Sequence, residues 1–233
     1  MADDKGMSTN GERSVDEATT EMVEKAKSDG VSTAFERREG MKPCGIGAAG
    51  VCCRLCNMGP CRITAKNPYG VCGADAETIA ARNFGRMVAA GTAAHSDHAR
   101  DVVHTFIKMA RGETADYEIK DEAKLMKLAE ELEVETGDRP VKEIAEDVGK
   151  VCLAQFSEQE DGIIFAKRAP EKRQELWKSL GVVPRGIDVE VVDMMHRTSM
   201  GTEADMKAMI VASSRAALAD GWGGSMIASD LQD

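Results

Sequence analysis

Large aromatic side chains are scarce in this sequence, and basic residues are fewer than acidic residues. Aromatic residues make up 4% of the 233 residues, so we expect the core to be filled by aliphatic side chains and by some of the 14 methionines. Acidic residues outnumber basic residues by 40 to 30, and a chain this acidic is a poor nucleic-acid binder. No apolar stretch approaches the roughly 20 residues that cross a bilayer, so we expect no membrane span.

A secretion signal is also absent, and its absence bears on the cysteines. The N-terminus, MADDKGMSTN, has neither an apolar segment nor a signal-peptidase pattern. The seven cysteines are odd in number, and a chain of this length does not need disulfides to form a core. We therefore expect a cytoplasmic protein whose cysteines are not joined in disulfides.

Six of the cysteines lie between Cys44 and Cys72, with the spacing C-x7-C-C-x2-C-x4-C-x10-C. Successive side chains on an extended chain point to opposite faces, so Cys52 and Cys53 are not expected to serve the same centre. The simplest division leaves Cys44 and Cys52 as a half-site, which a second copy of the chain would complete across a two-fold axis. The other four form one complete four-thiolate site: Cys53, Cys56, Cys61 and Cys72.

Four thiolates can hold either an iron–sulfur cluster or a structural zinc ion. Zinc sites usually combine two C-x2-4-C pairs, whereas here a single C-x2-C pair is followed by lone cysteines after four and ten residues. This spacing favours an iron–sulfur cluster over zinc. The segment from Arg37 to Lys66 is also basic, with six cations against Glu39 alone. That charge suits an anionic cluster and would steer an acidic redox partner towards it.

The residues around these cysteines resemble the N-terminal part of anaerobic nickel–iron carbon monoxide dehydrogenases. The resemblance is carried by PCGIGAAGVCCRLCNMGPCRI, YGVCGADAETIAARNFGRMVAAGTAAHSDHARDVVH and ADGWGGSMIASDLQD. It implies that Cys44 and Cys52 hold a cluster shared across a homodimer, expected to be 4Fe–4S with 2Fe–2S as a variant. It also implies that an inner 4Fe–4S cluster is held by Cys53, Cys56, Cys61 and Cys72. The hybrid-cluster protein, a more remote relative, is disfavoured by the adjacent pair Cys52–Cys53 and by a row of histidines.

An activity follows from the same resemblance: the reversible oxidation of carbon monoxide with water to carbon dioxide, two protons and two electrons at a nickel–iron–sulfur cluster. Electrons would leave through the inner and the bridging clusters to ferredoxin or a similar acceptor. After Cys72 the sequence contains only Cys152, so we expect the nickel ligands outside this chain and no activity from it alone. The alternatives are a stand-alone dimeric iron–sulfur electron carrier and a structural zinc-binding interaction module.

The row of histidines lies on one predicted helix and consists of His95, His98 and His104. At a rise of 1.5 Å per residue these positions cover about 14 Å along a slanted ridge of the helix. The resemblance implies that they relay protons away from the nickel cluster, with Asp101 in place of a histidine of the usual row. The alternative is a hydrophilic helix face that happens to carry three unrelated histidines.

Helical periodicity predicts a mainly α protein, an N-terminal helical domain with a cysteine-rich iron–sulfur loop region. The expected organisation is a tail and helix at 1–30, the cysteine-rich region at 31–73 and a helical domain at 74–233. Residues 1–13 are expected to be disordered.

Capping and stop signals place the individual helices. Capping boxes at Ser14 and Thr202 are expected to open two of them, and Asp75 is expected to cap a third. Cys152 is expected to be a buried structural thiol, and His196 is expected to pack in the core or at a helix end. The predicted helices cover 14–30, 75–90, 92–111, 121–136, 140–156, a short stretch after 170, 187–199 (with a strand as the alternative) and 202–219.

Overall fold

The computed structural model describes residues 14–42, 44–159 and 162–232. The chain divides into two compact units, the first ending at Ala48 and the second beginning at Ala49. The tail expected to be disordered, residues 1–13, lies outside the described residues. The domain boundaries expected after residues 30 and 73 stay a prediction.

Three short helices form the described part of the first unit, and none of them buries a residue. The predicted capping box at Ser14 is wrong, because the first helix is capped by Asp16, whose carboxylate accepts the backbone N–H of Thr19 at 2.7 Å. A true capping box joins Thr33 and Glu36 at the second helix, inside the segment expected to be a loop. The three helices are α1 (Glu17–Ser28), α2 (Ala34–Glu39) and α3 (Gly45–Ala48).

Among its described residues the second unit consists of helices, connecting loops and one short hairpin, which confirms the prediction of a mainly α protein. The two strands pair antiparallel: β1 (Cys52–Cys53) and β2 (Cys61–Arg62). The helices that follow are α4 (Ala76–Ala110), α5 (Glu122–Glu131), α6 (Val141–Ala154), α7 (Glu171–Leu180), α8 (Ile187–Arg197), α9 (Met206–Ala219) and α10 (Ser225–Gln232). A 3-10 turn at Ile164–Arg168 and a π-helical turn at Asp220–Gly224 complete the unit.

Helix α4 is the central element, and α6, α8, α9 and α10 all pack against it. Its buried face carries Ala99, Val103 and Ile107, spaced four residues apart as one face of a helix requires. The predicted division of this segment into two helices near residue 91 is wrong. Thr92 is fully buried, and its hydroxyl donates to the carbonyl of Ala216 on α9 at 3.1 Å, so tertiary contacts hold the helix continuous past Gly91.

Most other predicted helices are present, with boundaries moved by local backbone geometry. Helix α5 ends at Glu131, before the expected residue 136, because Glu133 adopts a positive φ of 57°. Its three leucines are buried as expected: Leu125, Leu128 and Leu132. Residues 187–197 are helical and not a strand. Helix α9 is capped by Asp205, so the predicted capping box at Thr202 is wrong.

The C-terminal π-helical turn and α10 were not predicted, because GWGG offers no helical periodicity. Within the described ranges, no helix combines the length and the apolar character needed to cross a membrane.

Candidate metal centre

The hairpin of the second unit brings two of the predicted cysteine ligands opposite each other. In the pairing of β1 with β2, Cys53 faces Cys61, and Cys52 faces Arg62. Residues directly opposed in an antiparallel pair project from the same face of the sheet, whereas neighbours along a strand project from opposite faces. Cys53 and Cys61 therefore share one face of the hairpin, and Cys52 belongs to the other.

The loop that connects the two strands folds back closely at Gly59. The backbone N–H of Gly59 donates to the carbonyl of Cys56 at 3.2 Å. A Cβ atom at this position would lie 3.0 Å from the carbonyl oxygen of Cys53 and 3.1 Å from the backbone nitrogen of Cys61. Because both neighbours are backbone atoms, a side chain at residue 59 would have to displace the hairpin backbone by a few tenths of an ångström. Glycine thus favours the close approach that holds Cys56 beside the two strands.

One cavity is lined by all four cysteines of the predicted complete site: Cys53, Cys56, Cys61 and Cys72. The cavity is also lined by the apolar side chains of Leu55, Ile79 and Met200. Among the described residues that line the cavity, Arg82 carries the one basic side chain. Cys44 and Cys52 are not among the lining residues.

Four cysteines around one cavity provide the donor set of either kind of metal site that the spacing allows. Four thiolates bind a structural zinc ion or an iron–sulfur cluster. Among residues 14–42, 44–159 and 162–232, no three His, Cys, Asp or Glu side chains converge closely enough to hold one metal ion.

Hydrogen-bond donors approach two of the sulfurs. The backbone N–H of Val71 donates to the Sγ atom of Cys61 at 3.5 Å, and the Nη1 atom of Arg82 donates to the Sγ atom of Cys72 at 3.5 Å. The hydrogen bond from Arg82 lowers the pKa of the Cys72 thiol, and the backbone N–H of Ala74 adds to this effect. A lowered pKa favours the thiolate, which is the form that binds metal.

Side chains in the first turns of α4 contact the hairpin and the residues just before it. The side-chain amide of Asn83 donates to the carbonyls of Gly50 and Cys52, at 3.0 and 3.1 Å. Ile79 is almost completely buried against the hairpin. The sequence analysis did not identify Arg82 or Asn83, and no signal in the sequence marks them, because their roles depend on where the hairpin lies against α4.

The predicted half-site residues Cys44 and Cys52 belong to different units. Cys44 is exposed directly before α3, and its carbonyl accepts the backbone N–H of Ala48 at 2.8 Å. Cys52 is half-buried at the start of β1. Their assignment to a cluster shared between two copies stays a prediction.

The predicted histidine row is exposed along α4 and consists of His95, His98 and His104, with Asp101 between the last two. Asp101 also lines a separate cavity of about 650 Å³ between α4, α5 and the end of α10.

Two of the histidines contact the C-terminal elements. The Nδ1 atom of His95 lies 2.6 Å from the Oδ1 atom of Asp220, which also accepts the hydroxyl of Ser225 at 2.9 Å. The Nε2 atom of His98 lies 3.2 Å from the side-chain amide nitrogen of Gln232. The role of the row in proton transfer stays a prediction.

The two residues expected to be structural are where the sequence predicted. Cys152 is fully buried on α6, and burial raises its pKa to about 12, which confirms an inert structural thiol. His196 lies in the last turn of α8 and is exposed, so it belongs to a helix end and not to the core.

The chain is similar in sequence to the proteins of one known family. Residues 51–233 match the model of the Prismane/CO dehydrogenase family. Carbon monoxide dehydrogenase 1 of Methanosarcina acetivorans is 48% identical over 229 residues, which are 95% of this chain and 36% of that protein. Carbon monoxide dehydrogenase 1 of Carboxydothermus hydrogenoformans is 39% identical over an alignment of 235 positions, which covers 97% of this chain and 36% of that protein.

Solved structures agree with these relatives. A nickel-free crystal structure of carbon monoxide dehydrogenase from Thermococcus sp. AM4 superposes with a TM-score of 0.85 at 45% identity, over 94% of this chain and 35% of that one. A structure of acetyl-CoA synthase/carbon monoxide dehydrogenase, described with NiZn[Fe4S4] and NiNi[Fe4S4] clusters, gives a TM-score of 0.85 at 38% identity, over 95% of this chain and 34% of that one. The chain thus spans about a third of the length of the proteins that it matches.

Proposed function

The chain belongs to the Prismane/CO dehydrogenase family, and we propose that it is the cluster-bearing, electron-transfer portion of a carbon monoxide dehydrogenase. The observation that carries this proposal is the single cavity lined by four cysteines: Cys53, Cys56, Cys61 and Cys72. Membership of the family does not by itself assign a role to a chain that covers about a third of its relatives' length, and the four cysteines at one cavity support the role of a cluster site.

In this proposal the four cysteines hold an inner 4Fe–4S cluster, which when bound accepts and releases single electrons. The hairpin pairs Cys53 with Cys61, and the close turn at Gly59 brings in Cys56. Cys72 follows after β2 and receives the hydrogen bond of Arg82. The hydrogen-bond donors to Cys61 and Cys72 stabilise negative charge on those two sulfurs.

A second cluster is proposed at Cys44 and Cys52, shared with a second copy of the chain. The support is the hairpin pairing, which directs the side chain of Cys52 away from the face that Cys53 and Cys61 share. Two thiolates are half of the set that a 4Fe–4S cluster needs, and a two-fold axis supplies the other half. The active assembly would therefore be a homodimer.

The oxidation of carbon monoxide itself is proposed to use nickel–iron–sulfur ligands outside these 233 residues. Beyond the cysteine segment the sequence has only Cys152, which is buried and inert. His95, His98 and His104 are proposed to carry protons along the exposed face of α4, since imidazoles exchange protons near neutral pH.

The electron acceptor is proposed to be a ferredoxin in the cytoplasm. Arg54, Arg62 and Lys66 are exposed in the cysteine segment of an otherwise acidic chain. Such a local excess of cations attracts an acidic redox protein and accelerates the encounter.

The test is to purify the chain without oxygen and to measure its iron, sulfide, zinc and mass in solution. About six irons per chain in a dimer are expected, four from the inner cluster and half of a shared 4Fe–4S cluster. Carbon monoxide should not reduce an added viologen dye in the presence of this chain alone. Zinc without iron, in a monomer, would contradict the proposal and favour a structural zinc module.

A further inference from the structure

Arg82 is a buried cation that forms no ion pair with a carboxylate in the part of the chain that the structure describes. Only 3% of its surface is exposed, and among the described residues none of the ion pairs involves it. Its Nε atom is buried without any hydrogen-bond partner. A buried guanidinium is costly unless an anion compensates it, and the one group of potential anions that it touches is the cysteine site. Arg82 lines the cavity of the four cysteines, and its Nη1 atom donates to the Sγ atom of Cys72.

The other arm of the guanidinium holds the side chain in this orientation. The Nη2 atom donates to the backbone carbonyl of Glu203 at 2.7 Å, and one turn earlier on α4 the hydroxyl of Thr78 donates to the carbonyl of Ala204 at 3.0 Å. The same connection between α8 and α9 contributes Met200 to the cavity wall. The planar fork of an arginine thus bridges that connection and the sulfur of Cys72, which a flexible ammonium group would not do equally well.

The connection itself is anchored by ion pairs, so the acceptor for Arg82 does not move freely. The carboxylate of Glu203 pairs with Arg197 at 3.3 Å, and Arg197 pairs with Asp193 at 2.7 Å. Asp193 in turn pairs with Arg215 of α9 at 2.9 Å. The position of the Nη1 atom at Cys72 is therefore determined by the packing of three helices, and not by the cysteine loop alone.

We propose that Arg82 is a positioning residue that fixes Cys72 and raises the reduction potential of the cluster bound at the four cysteines. This inference rests on the proposed function, because it needs a cluster at that site. An added electron makes the cluster more negative, and a permanent cation with an N–H donor at a ligand sulfur stabilises that added charge. Since arginine does not lose its proton in proteins, the effect does not depend on pH in the physiological range.

The experiment is an anaerobic redox titration of the full chain, followed by electron paramagnetic resonance, for wild type, Arg82→Gln and Arg82→Lys. Arg82→Gln removes the charge and should shift the midpoint potential of the inner cluster to a more negative value. Arg82→Lys keeps the charge but loses the fork, so its shift should have the same sign and be smaller. Iron content, circular dichroism and thermal unfolding of each variant establish that it folds and binds its cluster.

Arg86→Gln is the matched control. Arg86 lies one turn further along α4 and donates to the hydroxyl of Thr198 at 2.7 Å, away from the cysteines. An unchanged potential in Arg86→Gln, with the graded shift in the two Arg82 variants, supports the inference. If Arg82→Gln binds no iron, the test rests on the midpoint potential of Arg82→Lys. A midpoint potential equal to that of wild type then overturns the inference. The inference is also overturned if every variant that contains iron has the same midpoint potential as wild type. A wild-type chain that binds no iron would contradict the proposed function as well.

Discussion

The imidazole of His95 and the carboxylate of Asp220 are joined by a contact of 2.6 Å between Nδ1 and Oδ1, across 125 residues of sequence. The contact ties the middle of α4 to the π-helical turn before α10. Helical π segments are rare and often occur at functional sites, and here the turn presents Asp220 to the first residue of the histidine row. The orientation of His95 is therefore set by an element that the sequence pattern does not indicate.

A double-mutant cycle with His95→Ala and Asp220→Asn should measure a coupling of about 0.5–1 kcal/mol in the free energy of unfolding. The value is small because 58% of the His95 side chain is exposed, so solvent screens the pair. Urea unfolding of the wild type, the two single variants and the double variant provides the measurement. Strictly additive effects of the two substitutions would contradict the contact.

Replacing single cysteines should separate the two proposed clusters. Cys52→Ala should lower the iron content from about six to about four per chain, because only the shared cluster loses ligands. Cys61→Ala should remove the inner cluster and lower the melting temperature, because the cluster closes the loop between β1 and α4. Iron analysis and thermal unfolding of the anaerobic protein measure both effects.

The two cysteine variants also serve as controls for each other. Complete loss of iron in Cys52→Ala would show that the division of the six cysteines is wrong. Unchanged iron content and melting temperature in Cys61→Ala would remove that residue from the ligand set.

Two glycines on neighbouring helices should respond in opposite ways to substitution by alanine. A Cβ atom at Gly149 of α6 would lie 2.5 Å from the Cγ1 atom of Ile107 on α4, so Gly149→Ala should destabilise the fold by about 1–3 kcal/mol. Gly91 of α4 is exposed and has no atom within 4 Å of that position. Gly91→Ala should stabilise the fold by about 0.5–1 kcal/mol through helix propensity. Equal effects of the two substitutions, measured by urea unfolding, would contradict the close crossing of α4 and α6.

Cys152 should resist alkylation in the folded protein. Burial raises the pKa of its thiol from the ordinary value of 9.0 to about 12, so the reactive thiolate is scarce near neutral pH. Above pH 9.0 the unfolded chain would ionise this thiol while the folded chain would not, and this group would lower the free energy of unfolding progressively up to about pH 12. Mass spectrometry of the metal-free chain after iodoacetamide treatment should find Cys72 and Cys44 modified well before Cys152. Modification of all seven at one rate would show that α6 is not packed as described.

Much of the cysteine site could be predicted because it depends on local rules. The alternation of side chains along a strand separates Cys52 from Cys53, and the observed hairpin places Cys53 opposite Cys61. The capping box at Thr33 and Glu36 could also have been found, since Thr-x-x-Glu is visible in the sequence. The cap at Asp16 in place of Ser14 shows the limit of such signatures: the hydroxyl of Ser14 accepts the backbone N–H of Asp16, and the carboxylate of Asp16 accepts the N–H of Thr19 in the first turn.

The sequence by itself determined the helical class, the cysteine spacing, the buried face of α5 and the inert environment of Cys152, because each follows from residue type and from the period of a helix or strand. Only the tertiary structure decided that α4 runs through Gly91, since a buried contact between Thr92 and Ala216 outweighs the low helix propensity of glycine. It also decided that Arg82 meets Cys72 and that Asp220 meets His95. These pairs are ten and 125 residues apart, and distances of that kind are set by how elements pack, which no local pattern encodes.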